Sequence, residues 1–233
     1  MLKLLKNPFY FNRPNSFKAT KSERDALCEI IINSSAPKAG FYLLLILSTF
    51  IVTVGLLKNS VILTIGGMLV APLLSPILSL SLSLTIMNFK VFLRSIRIFV
   101  ISALVSLFLS YLLGLIIDFS LSKITLLDLI VSTDLSTFLI PVAAGAAASF
   151  TWAKKEMNNS LPGVAITVAL LPPLTIMGLS LAAENYLIFK QALNIYFLNV
   201  SGIIIGSLII FIIMGFYKSA KKIIGQVNEE ENN

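Results

Sequence analysis

Gly66-Gly67-Met68-Leu69-Val70-Ala71-Pro72-Leu73-Leu74-Ser75-Pro76 stands in the middle of an uncharged apolar run from Val61 to Met87. A run of that length can cross a bilayer, whose hydrocarbon core takes roughly 20 apolar residues of helix. Each proline removes a backbone donor and its ring clashes with the preceding turn. The helix is therefore expected to break near mid-membrane. Carbonyls freed in hydrocarbon are costly unless protein, water or an ion satisfies them, so a break at that depth predicts a buried cavity rather than a lipid-facing surface.

The rest of the composition fits a membrane setting. Hydrophobic residues make up 57% of the 233-residue chain and charged residues only 12%, and the mean hydropathy is +0.92. Soluble domains carry about 25% charged residues, so an integral membrane protein is expected. A net charge of +7 would suit nucleic acid, but the basic residues fall almost wholly between apolar runs, where they set orientation instead. No nucleic-acid partner is expected. Cys28 is alone and histidine is absent, so an intrachain disulfide, a zinc site and histidine chemistry are not expected. No metal or cofactor is expected. The first apolar run follows a polar basic segment, so no cleaved signal peptide is expected.

Six apolar runs follow one another: Gly40–Leu57, Val61–Met87, Ile98–Ile117, Leu135–Ala153, Leu161–Ala183 and Gln191–Tyr217. Lys58, Lys123 and Lys190 fall in connections on one side, and the remaining 15 of the 18 Lys and Arg residues fall on the other. The positive-inside rule then places both termini in the cytoplasm of a multi-pass protein of the cell's inner (plasma) membrane. Treating the proline-bearing runs as re-entrant hairpins would turn the loop with Lys90, Arg94 and Arg97 outward. Full crossings with an unwound centre are the better expectation. The expected organisation is a cytoplasmic basic arm (residues 1–39), a first triplet of spans (40–117), an extracytoplasmic connection (118–134), a second triplet (135–217) and a cytoplasmic tail (218–233). Within the arm, Lys21 to Ile32 reads as a short amphipathic helix, with Ser22 as N-cap and Ala26, Leu27, Ile30 and Ile31 at helical spacing. It is expected to be a solvated lead-in that packs on its neighbours, with a membrane-surface or gating helix as the alternative.

The chain also echoes itself. An offset of 97 brings Leu74, Pro76, Leu82, Ser83 and Leu84 onto Leu171, Pro173, Leu179, Ser180 and Leu181, and Gly66 onto Gly163. Farther on, an offset of 100 brings Phe89, Lys90, Ser102 and Ser106 onto Phe189, Lys190, Gly202 and Gly206. A repeat of three spans starts its second copy on the opposite side of the membrane. The expected fold is therefore all-α, six transmembrane helices as two inverted three-helix repeats, with Pro/Gly-broken second and fifth helices. Interrupted segments at matching positions of two inverted halves are how transporter folds build a midplane site.

The breaks define the candidate solute or ion path: Gly66, Gly67, Met68, Pro72, Ser75, Pro76 and Ser79 in the first half, and Gly163, Thr167, Val168, Ala169, Pro172, Pro173 and Thr175 in the second, with Asn199 on the sixth run. Proline at position i strands the carbonyl at i−4, which would free Met68 and Pro72, and Val168 and Ala169. Free carbonyls attract cations, whereas a helix split outright offers N–H groups and a positive dipole end to an anion. The sequence leaves that sign open. Each single hydroxyl is expected to bond its own preceding turn or a neighbouring helix, and Asn194 and Asn199 are expected to be inter-helix glue rather than ligand contacts. Ser102, Ser106, Ser110 and Gly114, and Gly202 and Gly206, recur every fourth residue as strips for close helix approach. No ionisable residue lies centrally in any run, so proton coupling would fall to Asp134 or Glu184 near span ends.

The stretch ending in Ala71-Pro72-Leu73-Leu74-Ser75-Pro76, together with Leu161-Pro162-Gly163-Val164-Ala165-Ile166-Thr167-Val168-Ala169-Leu170-Leu171-Pro172-Pro173, resembles the two signature segments of a prokaryotic family of hydrophobic membrane proteins, the domain of unknown function 389. The resemblance covers roughly Gly40 to Tyr217 and implies the membrane fold without an activity. Some members carry a larger soluble domain, and a function housed there does not carry over to these short tails. Two function classes follow. The chain is a transporter or channel for a small solute or ion, or else a non-transporting scaffold or partner-binding subunit. No carboxylate pair, histidine or cysteine lies within a span, so an enzyme is not expected. Membrane lipid is the expected surroundings and a homo-oligomer the expected assembly.

Overall fold

The computed structural model describes Ala19, Arg24, Leu27 and residues 39–125, 135–154 and 170–219. Among these the fold is all-helical, with seven α-helices: α1 (Ala39–Leu57), α2 (Val61–Val70), α3 (Leu74–Thr85), α4 (Phe89–Ile116), α5 (Leu135–Ala153), α6 (Leu171–Ala182) and α7 (Tyr186–Ile213). Two 3₁₀ turns, Leu121–Lys123 and Phe216–Ser219, follow α4 and α7. Three helices, α1, α4 and α7, are long and apolar enough to cross a membrane, and the bent pair α2–α3 makes a fourth candidate. Helices α5, over its described side chains, and α6 are apolar but shorter.

The run from Val61 to Met87 is interrupted, and α2 and α3 meet at 52°. The interruption is one turn long. Helix α2 begins at Ser60, whose side chain accepts from the Leu63 N–H, and stops at Ala71, which has extended ψ of 125°. That is the backbone state favoured before a proline. Pro72 therefore sits in the break. Pro76 does not, because it falls at the third residue of α3, where no intrahelical donor is lost. Pro172 and Pro173 likewise open α6.

The long helices begin earlier than their apolar cores suggested. Helix α4 starts at Phe89 rather than Ile98, so Lys90, Arg94 and Arg97 lie on a helix and not in a loop. The cause is Asn88, whose side chain accepts from the N–H groups of Lys90 and Val91 at 3.1 and 3.2 Å. Asn185 caps α7 in the same way through the Ile188 N–H, so that helix runs from Tyr186 to Ile213 instead of from Gln191 to Tyr217.

Those two caps also correct the register of the internal match. Helices α3 and α6 are each 12 residues, α4 and α7 each 28, and both pairs are offset by 97 at both ends. The turns joining them agree in their backbone hydrogen bonds. Met87 and Glu184 both have φ of 54°, and the Asn88 N–H reaches the Ser83 carbonyl as the Asn185 N–H reaches that of Ser180. The offset of 100 on the third span is therefore wrong. Phe89 corresponds to Tyr186, and it is Phe92 that corresponds to Phe189. Apolar sequence of low complexity matches itself cheaply, and the capped turns fix the register where the side chains could not.

Small residues set the directions of packing. Gly178 lies against Ser110 and the Leu107 carbonyl, and Gly114 against Ala182, so α6 and α4 run parallel. Thr49 and Thr53 of α1 meet Ser106 and Ser110 of α4 at 3.1 and 3.5 Å, again in parallel. Gly202 meets Pro141 and Gly206 meets Ala146, so α5 and α7 are parallel as well. Since α7 folds back on α6, it is antiparallel to α4. Helices matched by the 97-residue offset thus run in opposite directions.

The core forms three patches. At one end Leu121, Ile124 and Leu179 are buried with Leu57 and Ile188 beside them. At the other, Leu78, Leu82, Ile86, Val91, Ala153, Phe211 and Phe216 close around Leu27 of the arm. Of the segment Lys21–Ile32 only Arg24 and Leu27 are described. Both are helical, Arg24 donates to the Ala19 carbonyl, and Leu27 is 1% exposed. The largest patch lies between, and it holds the beginnings of both α3 and α6.

Candidate site at the interrupted helices

The openings of α3 and α6 border one buried cluster. Leu73 and Ile77 from one, and Leu170, Leu171 and Leu174 from the other, belong to a single buried cluster with Ala192, Tyr196, Val200 and Ile203 of α7 and Ile98 of α4. Because α3 and α6 are antiparallel, they leave this shared level toward opposite ends of the molecule. Neither has a side-chain N-cap. Helices α2, α4 and α7, by contrast, are capped by Ser60, Asn88 and Asn185.

An aromatic pair marks the same level. Phe99 and Tyr196 stack with ring centroids 6.0 Å apart and planes 2° from parallel. They are separated by 97 residues and are therefore equivalent positions on α4 and α7. Tyr196 is ten residues into α7, about 15 Å along its axis, and Pro172 is ten residues back from the end of α6, so the two share a height. Phe99 stands in the same relation to Ser75. Tyr196 is 5% exposed, and its hydroxyl has no hydrogen-bond partner among the described residues. A hydroxyl buried without a partner costs about 1–3 kcal/mol, so this one atom is an anomaly in an otherwise apolar cluster.

The candidate residues named from sequence have several fates. Ser75, Pro76, Ser79, Pro172, Pro173 and Thr175 are buried, and Pro72 is half-buried. Ser79 bonds Ser95 of α4 at 2.6 Å, and Thr175 donates to the carbonyls of its own turn, Leu171 and Pro172. The Met68 carbonyl, expected to be free, accepts from the Ala71 N–H at 3.3 Å as the helix tightens before Pro72. Gly67 faces α1, where an added Cβ would meet the Val52 nitrogen at 2.9 Å, while Gly66 has nothing within 4 Å of that position. Asn199 is buried and Asn194 is exposed. Gly163, Thr167, Val168, Ala169 and Asp134 lie outside the described residues. Glu184 is exposed at the α6–α7 turn.

Sequence reasoning missed Phe99 and Tyr196. The signal was present in the 97-residue offset, which pairs them directly. The 100-residue offset used on the third span set Asn199 opposite Phe99 instead. Two cavities of about 260 and 270 Å³ lie away from the aromatic pair. One is bordered by Lys58, Asp118 and Lys123, and the other by Ala147, Phe150 and Ile213.

Three helices long and apolar enough to cross a membrane, a bent pair broken at a proline and a further helix opening on two prolines mark an all-helical, membrane-associated protein. Residues 68–205 match the profile of the domain of unknown function family (DUF389), and the chain belongs to that family. An uncharacterized protein of Methanocaldococcus jannaschii is 34% identical over 175 residues, which covers 72% of this chain and 52% of that protein. The chain thus spans about half the length of this relative. No solved structure matches it.

Proposed function

We propose that the chain is a membrane transporter or channel for a small solute or ion, with its site where α3 and α6 open. The six-span reading underlies this. The helices matched at an offset of 97, α3 with α6 and α4 with α7, belong to two inverted triplets related by an in-plane two-fold that passes between Phe99 and Tyr196. Both termini face the cytoplasm of the inner membrane. The observation that carries the proposal is that two antiparallel half-helices, neither with a side-chain N-cap, open onto one buried cluster that also holds Tyr196, stacked on its equivalent Phe99. Inverted repeats with interrupted helices at matching positions build midplane sites in secondary transporters. The two halves can exchange roles by rocking about the shared axis.

The apolar cluster around the two helix starts favours a second reading, a non-transporting scaffold or partner-binding subunit in which the breaks only shape packing. A homo-oligomer fits either reading. Flux separates the two. Reconstituted vesicles are assayed by osmotic light scattering with a panel of small neutral solutes and salts of potassium, chloride, phosphate and acetate. Transport predicts solute-specific entry that falls at least tenfold in Pro72→Ala, which fills the break between α2 and α3 and inserts at the wild-type level. No entry of any solute, or unchanged entry in the variant, counts against the site.

A further inference from the structure

We propose that the cavity of about 260 Å³ between the α1–α2 turn and the segment after α4 binds a small zwitterion, a solute or headgroup that carries an acid group and an ammonium together. Helices α1 and α4 run parallel, so both end here. Asn59 turns the chain between α1 and α2 with a left-handed φ of 51°. Its side chain donates to the Lys123 carbonyl at 2.7 Å and accepts from the Thr125 N–H at 2.8 Å. These bonds tie the 3₁₀ turn Leu121–Lys123 to the end of α1, and Leu121 and Ile124 are buried with Leu179 beneath it. Lys58 and Lys123, far apart in sequence, thereby border one cavity, and Asp118 borders it too.

The charges mark this cavity as a site. Lys58, Asp118 and Lys123 are exposed, and among the described residues their charged groups make no ion pair. Opposite charges that share a cavity without neutralising each other are available to a ligand. A bare anion would be repelled by Asp118 and a bare cation by the two lysines. An acid group between the lysines with an ammonium at Asp118 uses all three. Leu57, Phe119 and Ile124 add an apolar wall that suits the ligand's carbon atoms. The volume falls below the roughly 300–1,000 Å³ of pockets for drug-sized molecules, so the ligand is small. Nor are the charges a by-product of the internal repeat. The 97-residue offset sets Phe216 opposite Phe119, but Gly215 opposite Asp118 and Ala220 opposite Lys123. The packing residue recurs and these two charges do not. The site stands on this geometry and not on transport; the orientation proposed above only turns it outward.

A free amino acid and an ethanolamine phospholipid share the required chemistry, and the test separates them. The full chain in detergent is titrated with alanine, leucine and phosphoethanolamine at constant ionic strength, with acetate and ethylammonium as single-charge controls and thermal unfolding as the readout. At least one zwitterion is expected to raise Tm saturably, with a roughly millimolar midpoint because exposed charges each contribute little. Lys58→Gln, Lys123→Gln and Asp118→Asn are each expected to weaken that response at least threefold, and Lys190→Gln, at a lysine that does not border the cavity, to leave it unchanged. Asp118→Asn is also expected to let acetate alone raise Tm, which a merely structural carboxylate does not predict. Native mass spectrometry reads the other source. Phosphatidylethanolamine retained by the wild type and lost from the Lys58→Gln, Lys123→Gln double variant, without a response to free zwitterions, assigns the cavity to a headgroup. The proposal is overturned if neither a free zwitterion nor the phospholipid is bound in a way the lysine variants weaken, if acetate shifts the wild-type Tm as far as the zwitterions do, or if Lys190→Gln loses as much as Lys123→Gln. Absence of flux in vesicles overturns transport and leaves this site standing.

Discussion

Single residues in this protein are chosen for how closely a neighbour must come. An added Cβ at Gly206 would strike the Val142 carbonyl of α5, a backbone atom that cannot swing aside, while the same atom at Gly66 would meet nothing. Overfilling a packed contact costs about 1–3 kcal/mol, and replacing glycine by alanine in an open helix gains roughly 0.5–1 kcal/mol. Gly206→Ala is therefore expected to unfold earlier in an SDS titration and Gly66→Ala later. Equal behaviour would show that α5 and α7 are not in contact at Gly206. The fourfold spacing of Gly202 and Gly206, and of Ser102, Ser106 and Ser110, was legible in the sequence because small residues at that period have few other uses in membrane helices. Which helix each strip faces was not legible. Ser110 is shared by Thr53 of α1 and Gly178 of α6, and nothing local to it specifies either partner. Tyr196 escaped notice for a related reason. An aromatic in an apolar run reads as core, and only its missing partner sets it apart.

At the scale of elements, the break in the second run was legible because proline acts locally. Which proline makes the break was not, since the outcome depends on where the next helix restarts. Pro72 lies in the gap, and Pro76 falls in the tolerant first turn of α3. Replacing Pro72 should therefore matter more to shape than replacing Pro76. Spin labels at the exposed positions Ile62 and Leu84 straddle the 52° bend. Pro72→Ala is expected to lengthen the distance between them in double electron–electron resonance, and Pro76→Ala to leave it unchanged. Lengthening in Pro76→Ala alone would move the hinge out of 71–73. The capped starts of α4 and α7 were hidden by charge. Lys90, Arg94 and Arg97 looked like a loop, yet long basic side chains at a helix end can carry their charges outward while their stems stay on the bundle.

For the whole molecule, charge and hydropathy gave the membrane setting, and the self-match gave the idea of two halves. The register came from backbone detail that a sequence does not display: two left-handed residues, Met87 and Glu184, each followed by an asparagine cap. Residues matched this way sit at opposite ends of the bundle. Met87 adjoins the patch that holds Leu27 and Phe216, and Glu184 adjoins the patch with Leu121 and Leu179. Their opposition is the central claim, because a midplane site shared by two inverted halves exists only if it holds. Both positions are exposed, and the chain's single cysteine, Cys28, can be removed first. In a Cys28→Ser background, Met87→Cys and Glu184→Cys are treated in intact cells with a membrane-impermeant maleimide. The account predicts that the cysteine at 184 is labelled from outside and the one at 87 only after the membrane is opened. Labelling of both from the same side would contradict it.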